Sequence, residues 1–434
     1  MSAETVVFDE TYIREFSKMR NEPDWFLKLR LRGLELSKEL ALPKPEKTKI
    51  EHWNFHDFKH YVENESISSL DGLPEDVKKL FGKGQEAGNV IVQRNATVVY
   101  QELSDDLKNK GVIFTDIWTA LSEHADLVQK YFMTEAVQVD EHRLTALHAA
   151  LLNGGVFLYV PKNVEIDVPL QTVFWQDDPR VGLINHVLIV ADDNSSVTYV
   201  ENYLSTNSGE PSVANIISEV IVGNNATVRY GAVDHLSETV TTYVNRRGRI
   251  ANDGRIEWAL GQMNDGSTVS ENWTKCIGNG STSDAKMVTI GRGEQKQNFL
   301  VRMDQIGQHS DGQIFAAGVM KDEAMGIFNT IGKIFQGGKK SNAEQTSRML
   351  MLSKKARGDV NPILLIDEDD VTAGHAASVG QVDEVQLYYL MSRGISRDEA
   401  ERMIVRGFLN PVVADLPIEG VKQALESVIE RKIQ

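Results

Sequence analysis

The tetrapeptides NSSV (194–197), NATV (225–228), DGRI (253–256), DAKM (284–287) and DGQI (311–314) follow one another through the middle of this 434-residue chain. Each sets an Asp or Asn three residues before an apolar residue, and successive copies lie 31, 28, 31 and 27 residues apart. Asn342 and Asp370 continue the series by position, although Gln345 stands where the apolar residue belongs. From about 156 to 375, short β-rich runs (INHVLIVA, IISEVIVG, TVRYGAV, KMVTIG) alternate with Asn, Asp, Gly and Ser, and almost nothing has helical period. Such runs suit a sandwich, a barrel or a solenoid. A turn residue and an apolar strand start every 27–31 residues fit the solenoid, in which each turn stacks on the last and an inward residue recurs at one place. Asx residues suit the corners, because their side chains bond nearby backbone and tolerate unusual φ.

Helical texture flanks this region. Asp24 after Pro23 is placed to cap a helix through Leu40, with Trp25, Leu29, Leu36 and Leu40 apolar and Pro43 and Pro45 beyond it. NVIVQRNATVVYQE (around 88–101) reads as a strand pair about an Asn-Ala-Thr turn, followed by helices near 116–133 and 140–153. The second of these starts at Asp140 as its cap and stops at Gly154-Gly155. After about 383, DEVQLYYLMSRG spaces Val385, Leu387, Tyr388 and Met391 helically, and Ser396 with Glu399 forms a capping box. Pro411 and Pro417 punctuate before a last helix. The expected division is a helix-rich part at 1–150, a mainly β core at 151–378 and helices at 379–434.

Composition excludes several functions. With 62 acidic against 46 basic residues, a formal charge of −16 and a pI near 5.2, the chain lacks the basic surface that nucleic acid demands. No stretch reaches the roughly 18–20 apolar residues that span a bilayer, so no membrane partner is expected. MSAETVVFDETYIREF has no apolar signal region. One cysteine forbids an internal disulfide and a cysteine-only cluster site, which needs about four thiolates. The cytoplasm is the expected compartment.

The chemical candidates are few. His52, His56 and His60, at i, i+4 and i+8, would stack on one helical face as a metal site, although Trp53, Phe55 and Phe58 supply the stronger pattern and no HExxH is present. GKIFQGGKKS (332–341) departs from a phosphate loop at Gly338 and Lys340 and reads better as a Gly-rich turn. Cys276 has no motif around it and suits a buried thiol. No Ser/His/Asp order or nucleophile elbow is present. Asp367-Glu368-Asp369-Asp370 with His375 offers hard oxygens and one nitrogen, chemically suited to iron, against the plainer reading of a solvated strand end.

DEDDVTAGHAASVGQVDEVQLYYLMSRGI (367–395) and EAERMIVRGFL (399–409) resemble the C-terminal signature of the SufB/SufD family of iron–sulfur cluster assembly proteins. NEPDWFLKLRLRGLEL (21–36), PKPEKTKIEHWNFHDF (43–58) and TVTTYVNRRG (239–248) extend the likeness over essentially the whole chain, and the SufD branch is the nearer match. The resemblance implies a right-handed parallel β-helix flanked by N- and C-terminal helical domains. It implies a non-catalytic scaffold subunit that pairs with a SufB-like chain through the β-helix and docks a SufC-like ABC ATPase on its C-terminal helices. A homodimer is an open alternative when SufB is absent.

No permanently bound cofactor is implied, only a transient iron–sulfur cluster shared with SufB. His375 matches the family's interface histidine and is the implied metal or cluster contact. Ser347 stands at the matching position of a scaffold cysteine in SufB-type chains, and Ala373 where some SufD chains carry cysteine. The implied ATPase-docking residues are Tyr388, Tyr389, Arg393, Met403, Ile404 and Phe408. The competing class is a solenoid that binds or cleaves polysaccharide, usually exported and built around a groove with paired acids.

Overall fold

A computed structural model describes residues 8–81, 88–206, 209–416 and 419–433. The N-terminal part carries α1 (Glu10–Met19), α2 (Asp24–Glu39), α3 (Glu75–Lys78), α4 (Asp105–Asn109), α5 (Ile117–Glu123), α6 (Ala125–Tyr131) and α7 (Arg143–Leu151). Among them lie the hairpin β1 (Val90–Arg94) and β2 (Thr97–Glu102), and β3 (Ile113–Asp116). Then come β4 (Gly154–Val160), β5 (Leu170–Gln176), β6 (Leu183–Ala191), β7 (Ser196–Ser205), β8 (Ser212–Val222), β9 (Thr227–His235), β10 (Val240–Ile250) and β11 (Arg255–Gln262). The series continues with β12 (Thr268–Cys276), β13 (Thr282–Gly291), β14 (Lys296–Gln305), β15 (Asp311–Met320), β16 (Met325–Ile334), β17 (Asn342–Met351), β18 (Arg357–Ile366) and β19 (Thr372–Gln381). The chain ends in α8 (Glu384–Ser392), α9 (Arg397–Val413) and α10 (Glu419–Ile433).

From β4 onward the strands alternate between two sheets. Odd-numbered strands stack in parallel in one and even-numbered strands in the other, as a β-solenoid of about eight turns. Both inner faces are apolar and fill one core that includes Val187, Val228, Trp258, Phe299 and Phe328. Side chains alternate faces along a strand, so the outer faces are covered separately. α2, α6 and α7 pack over the early even strands at Leu188, Ile217 and Ile221. α9 and α10 pack over the odd strands at Val233, Val288 and Val319. A strap at 42–55 seats Ile50 and Phe55 against Tyr243 and Val269. It continues across the even sheet, where Asn298 Nδ2 donates to the Glu46 carbonyl at 2.7 Å and Lys47 Nζ to Asn361 Oδ1 at 3.2 Å.

The corners carry the period. Asn163, Asn194, Asn225, Asp253, Gly280, His309 and Lys340 all have φ between 53° and 68°, at spacings of 31, 31, 28, 27, 29 and 31 residues. Each N–H donates to the carbonyl just before the next corner, as Asn194 to Asn224 and His309 to Lys339, both at 2.8 Å. Asn225 Nδ2 also donates to Asn194 Oδ1, and Asn194 Nδ2 to Asn163 Oδ1. The sequence series therefore holds at Asn194, Asn225 and Asp253 and then slips. Asp284 lies inside β13, and Asp311 opens β15. The inward column pairs Val197, Val228 and Ile256 with Ser283, Gly312 and Ala343, so the apolar marker is lost where the register went astray.

Other expectations are corrected. Asp24 is the first helical residue of α2 and Pro23 its cap, with no side-chain bond. α7 is capped by His142, whose ring accepts from the Leu144 and Thr145 N–H groups while Thr145 Oγ1 accepts from the His142 N–H; Asp140 lies before it. The helix near 116–133 is two helices, broken at His124. Pro411 sits within the last turn of α9, whose continuation lets Val412 and Val413 bury against the odd sheet. Pro417 lies outside the described residues. No helix among those described is long and apolar enough to cross a membrane.

Candidate functional site

The two ends of the solenoid differ. At the first turn, β1 of the β1–β2 hairpin pairs in parallel with β5, β3 pairs antiparallel with β4, and Leu107, Val112 and Phe114 plug the core. At the last turn nothing among the described residues follows β18 and β19 in their sheets. β19 is exposed almost throughout, and Ile363, Leu365, Ile366 and Val379 are 39, 40, 39 and 47% exposed. An uncapped solenoid end presents apolar core and unpaired backbone together, the combination that invites another chain.

His375 belongs to this end. Its register partner is Gln345, which continues to Ile314, Ala285, Trp258 and Tyr230, the column facing the core. Gln345 reaches across that interior to donate to the Ile363 carbonyl at 2.9 Å. His375 occupies the same inward column one strand later, where no further turn covers it, so its ring is exposed. It makes no hydrogen bond or ion pair among the described residues. Ser347 shares the inward face, is fully buried and lies 3.3 Å from Thr330 Oγ1, and Ala373 is the second residue of β19, two before His375.

The four acids do not gather around His375. Glu368 is buried and accepts from Gln336 and from the Gly337 N–H at 2.9 Å, and the backbone bonds from Gly337 and Asp369 pull its carboxyl below the usual range. Asp367 pairs with Lys333 and Asp370 with Lys340. They close a corner, and no cluster of three metal-ligating side chains occurs among the described residues. Cys276 lies in the core at the end of β12, and burial pushes its thiol up to about 12. Three strand spacings, roughly 14 Å at ~4.8 Å each, separate it from β18. The histidine stack is also absent, because 52–60 is not helical. His52 and His56 are exposed, while His60 is buried between the Tyr12 hydroxyl and the Leu151 carbonyl, and desolvation, against the Leu151 bond, holds its ring neutral near pKa 3. GKIFQGGKKS is the end of β16 and a turn with Gly337 and Lys340 at positive φ.

The C-terminal helices form a second surface. α9 and α10 are seated on the odd sheet, and the buried Lys432 ammonium pins α10 by donating to the Asn264 carbonyl at 2.8 Å and pairing with Asp265 at 3.0 Å. α8 touches the body through α9, with Leu387 its buried residue. Tyr388 and Tyr389 are 74 and 58% exposed and Met403 42%, and Arg393 stacks on the Tyr389 ring at 5.2 Å. Ile404 and Phe408 are half-buried, and Phe408 packs on the helix–sheet core. Sequence reasoning omitted Val385, 74% exposed, and Met391 from this patch, though both lie on the α8 period it had marked.

Residues 44–172 match the SufBD protein N-terminal region, and residues 174–408 match the SufBD core domain of SUF system FeS cluster assembly. The chain is 60% identical to the iron–sulfur cluster assembly protein SufD of Bacillus subtilis strain 168, over 98% of either chain. It is 31% identical to iron–sulfur cluster assembly SufBD family proteins of Staphylococcus aureus strains USA300 and Mu50, over 94% of this chain and 90% of theirs. A solenoid with one sealed and one open end, flanked by helices, is thus the architecture of a chain that belongs to the SufBD family of iron–sulfur cluster assembly proteins.

Proposed function

We propose that this chain is a non-catalytic, cytoplasmic scaffold subunit that pairs with a SufB-like chain at the open end of its solenoid and docks a SufC-like ABC ATPase on α8 and α9. The observation that carries the reading is the last turn: β18 and β19 leave backbone, apolar side chains and His375 uncovered at one place. A transient cluster is the cargo of that interface. This chain offers it one imidazole, since Cys276 is remote and buried, Ser347 is a hydroxyl and Ala373 offers nothing. The partner therefore supplies the thiolates. The exposed Tyr388, Tyr389, Arg393 and Met403 have the aromatic, cationic and thioether chemistry favoured in interface anchors.

Co-expression with the two partners and pull-down through this chain tests the reading. Both partners should be retained, and deletion of 383–434 should release the ATPase alone. His375→Ala should lower cluster yield in the intact complex. A chain that forms only homodimers beside its partners, or unchanged cluster yield in His375→Ala, refutes the corresponding part.

A further inference from the structure

The corner leading to the last turn is packed with sulfur. Met320 and Met351 end β15 and β17 as register partners, with Met349 two residues before Met351. Opposite them, Gly326 and Gly358 are register partners near the starts of β16 and β18. A Cβ on Gly326 would stand 2.8 Å from Met320 Sδ and 3.3 Å from Met349 Cε. One on Gly358 would stand 2.9 Å from Met351 Sδ and nearer still to Met349 Sδ. The thioethers thus fill the notch that the paired glycines leave. Met320 and Met349 are buried, whereas Met351 is half-buried and within reach of solvent.

We propose that Met351 is an oxidation site at which a hydroperoxide-class oxidant unseats β18. The Sδ lone pair attacks one peroxide oxygen, an S–O bond forms and the O–O bond breaks. The departing hydroxide takes the proton of the transferred oxygen and leaves as water. Sulfur loses two electrons and the peroxide gains them. The new oxygen has no space between Met351 and the Gly358 backbone, and it brings a strong acceptor into an apolar notch. β18 has a single neighbour in its sheet, β16, so it is the strand that yields. Because β18 forms the open end, oxidation there would release the SufB-like partner, a consequence that rests on the function proposed above.

The test is peroxide treatment of the full chain, followed by sulfoxide mapping and amide exchange over 357–366. The expected result is a sulfoxide at Met351 with about tenfold loss of protection in β18, reversed by methionine sulfoxide reductases. Met351→Leu should keep protection under peroxide, and Met351→Gln should lack it without peroxide. Sulfoxide at Met351 with β18 unchanged, or equal opening in Met351→Leu, overturns the proposal. Opening of β18 with the SufB-like partner still held overturns the interface reading and leaves the oxidation site standing.

Discussion

Glu219 on β8 is wholly buried, and its two oxygens accept the Met133 N–H at 2.6 Å and the Val137 N–H at 2.9 Å. Desolvation outweighs those bonds and raises its carboxyl to about 7. His186 beside it, and likewise His60 and His142, are held near 3 by burial, with His148 also well below its ordinary value. The two kinds of group act oppositely on stability. A depressed histidine binds no proton in the fold but binds one unfolded, so stability is lost as pH falls below about 6.5, by up to about 1.4 kcal/mol per pH unit per histidine. Glu219, raised in the fold, keeps its proton longer than the unfolded carboxyl, so its contribution is full below about 4.5 and is lost as pH rises through 7. Urea titrations should show stability falling from pH 6.5 to 5, and Glu219→Gln should steepen that fall while costing about 1–3 kcal/mol at pH 7 for a misplaced amide. A slope that Glu219→Gln leaves unchanged contradicts this assignment. None of it was legible beforehand, because the linear pattern around Glu219 is that of any buried strand. His375, by contrast, was singled out by its block, and only the register put it on the core-facing column.

Corners and caps are where the elements departed from expectation. Asn194, Asn225 and Asp253 were readable because Asx side chains mark left-handed corners. The same backbone at His309 (φ 55°) and Lys340 (φ 63°) carries no such mark, because neighbouring turns hold the corner in place. A non-glycine residue is strained there, so Lys340→Gly should raise stability by about 0.5–1 kcal/mol despite loss of the exposed Asp370 pair, as a higher melting temperature. At α10, Lys432 faces Asp265, His235, Arg292 and Arg431. Its ammonium is lowered to about 8 by burial, while Asp265 is held below its usual range by His235 and Lys432 despite desolvation. Lys432→Met removes one side of this buried pair and should cost about 3–5 kcal/mol, with amide exchange rising first in α10. If exchange in α10 stays as in the parent chain, Lys432 is not the pin. Pro411 shows the same override, because the apolar contacts of Val412 and Val413 outweigh the backbone bond that proline removes.

At the scale of the whole molecule, asymmetry between the two solenoid ends is the main result. The sealed end is closed by residues from the N-terminal part, and among the described residues the open end has no such cap. Ile366 and Val379, on core-facing columns with Cys276 and Met349, are therefore surface residues with the character of core. Val379→Lys should leave the melting temperature within about 1–2 °C, since surface changes cost little. It should nonetheless cut capture of the SufB-like partner at least about tenfold by charging the edge strand. Equal capture by the variant would move the interface elsewhere. By itself the sequence determined the mainly β class, the roughly 30-residue turn, the flanking helices and the family, since periodic corners, alternating strands and long ordered blocks are local properties of the chain. The tertiary structure decided the register beyond Asp253, the scattering of the acids away from His375, the depth of Cys276 and which end stays open. Those depend on which strand lies beside which, and stacking across turns joins residues that the linear chain keeps about thirty positions apart.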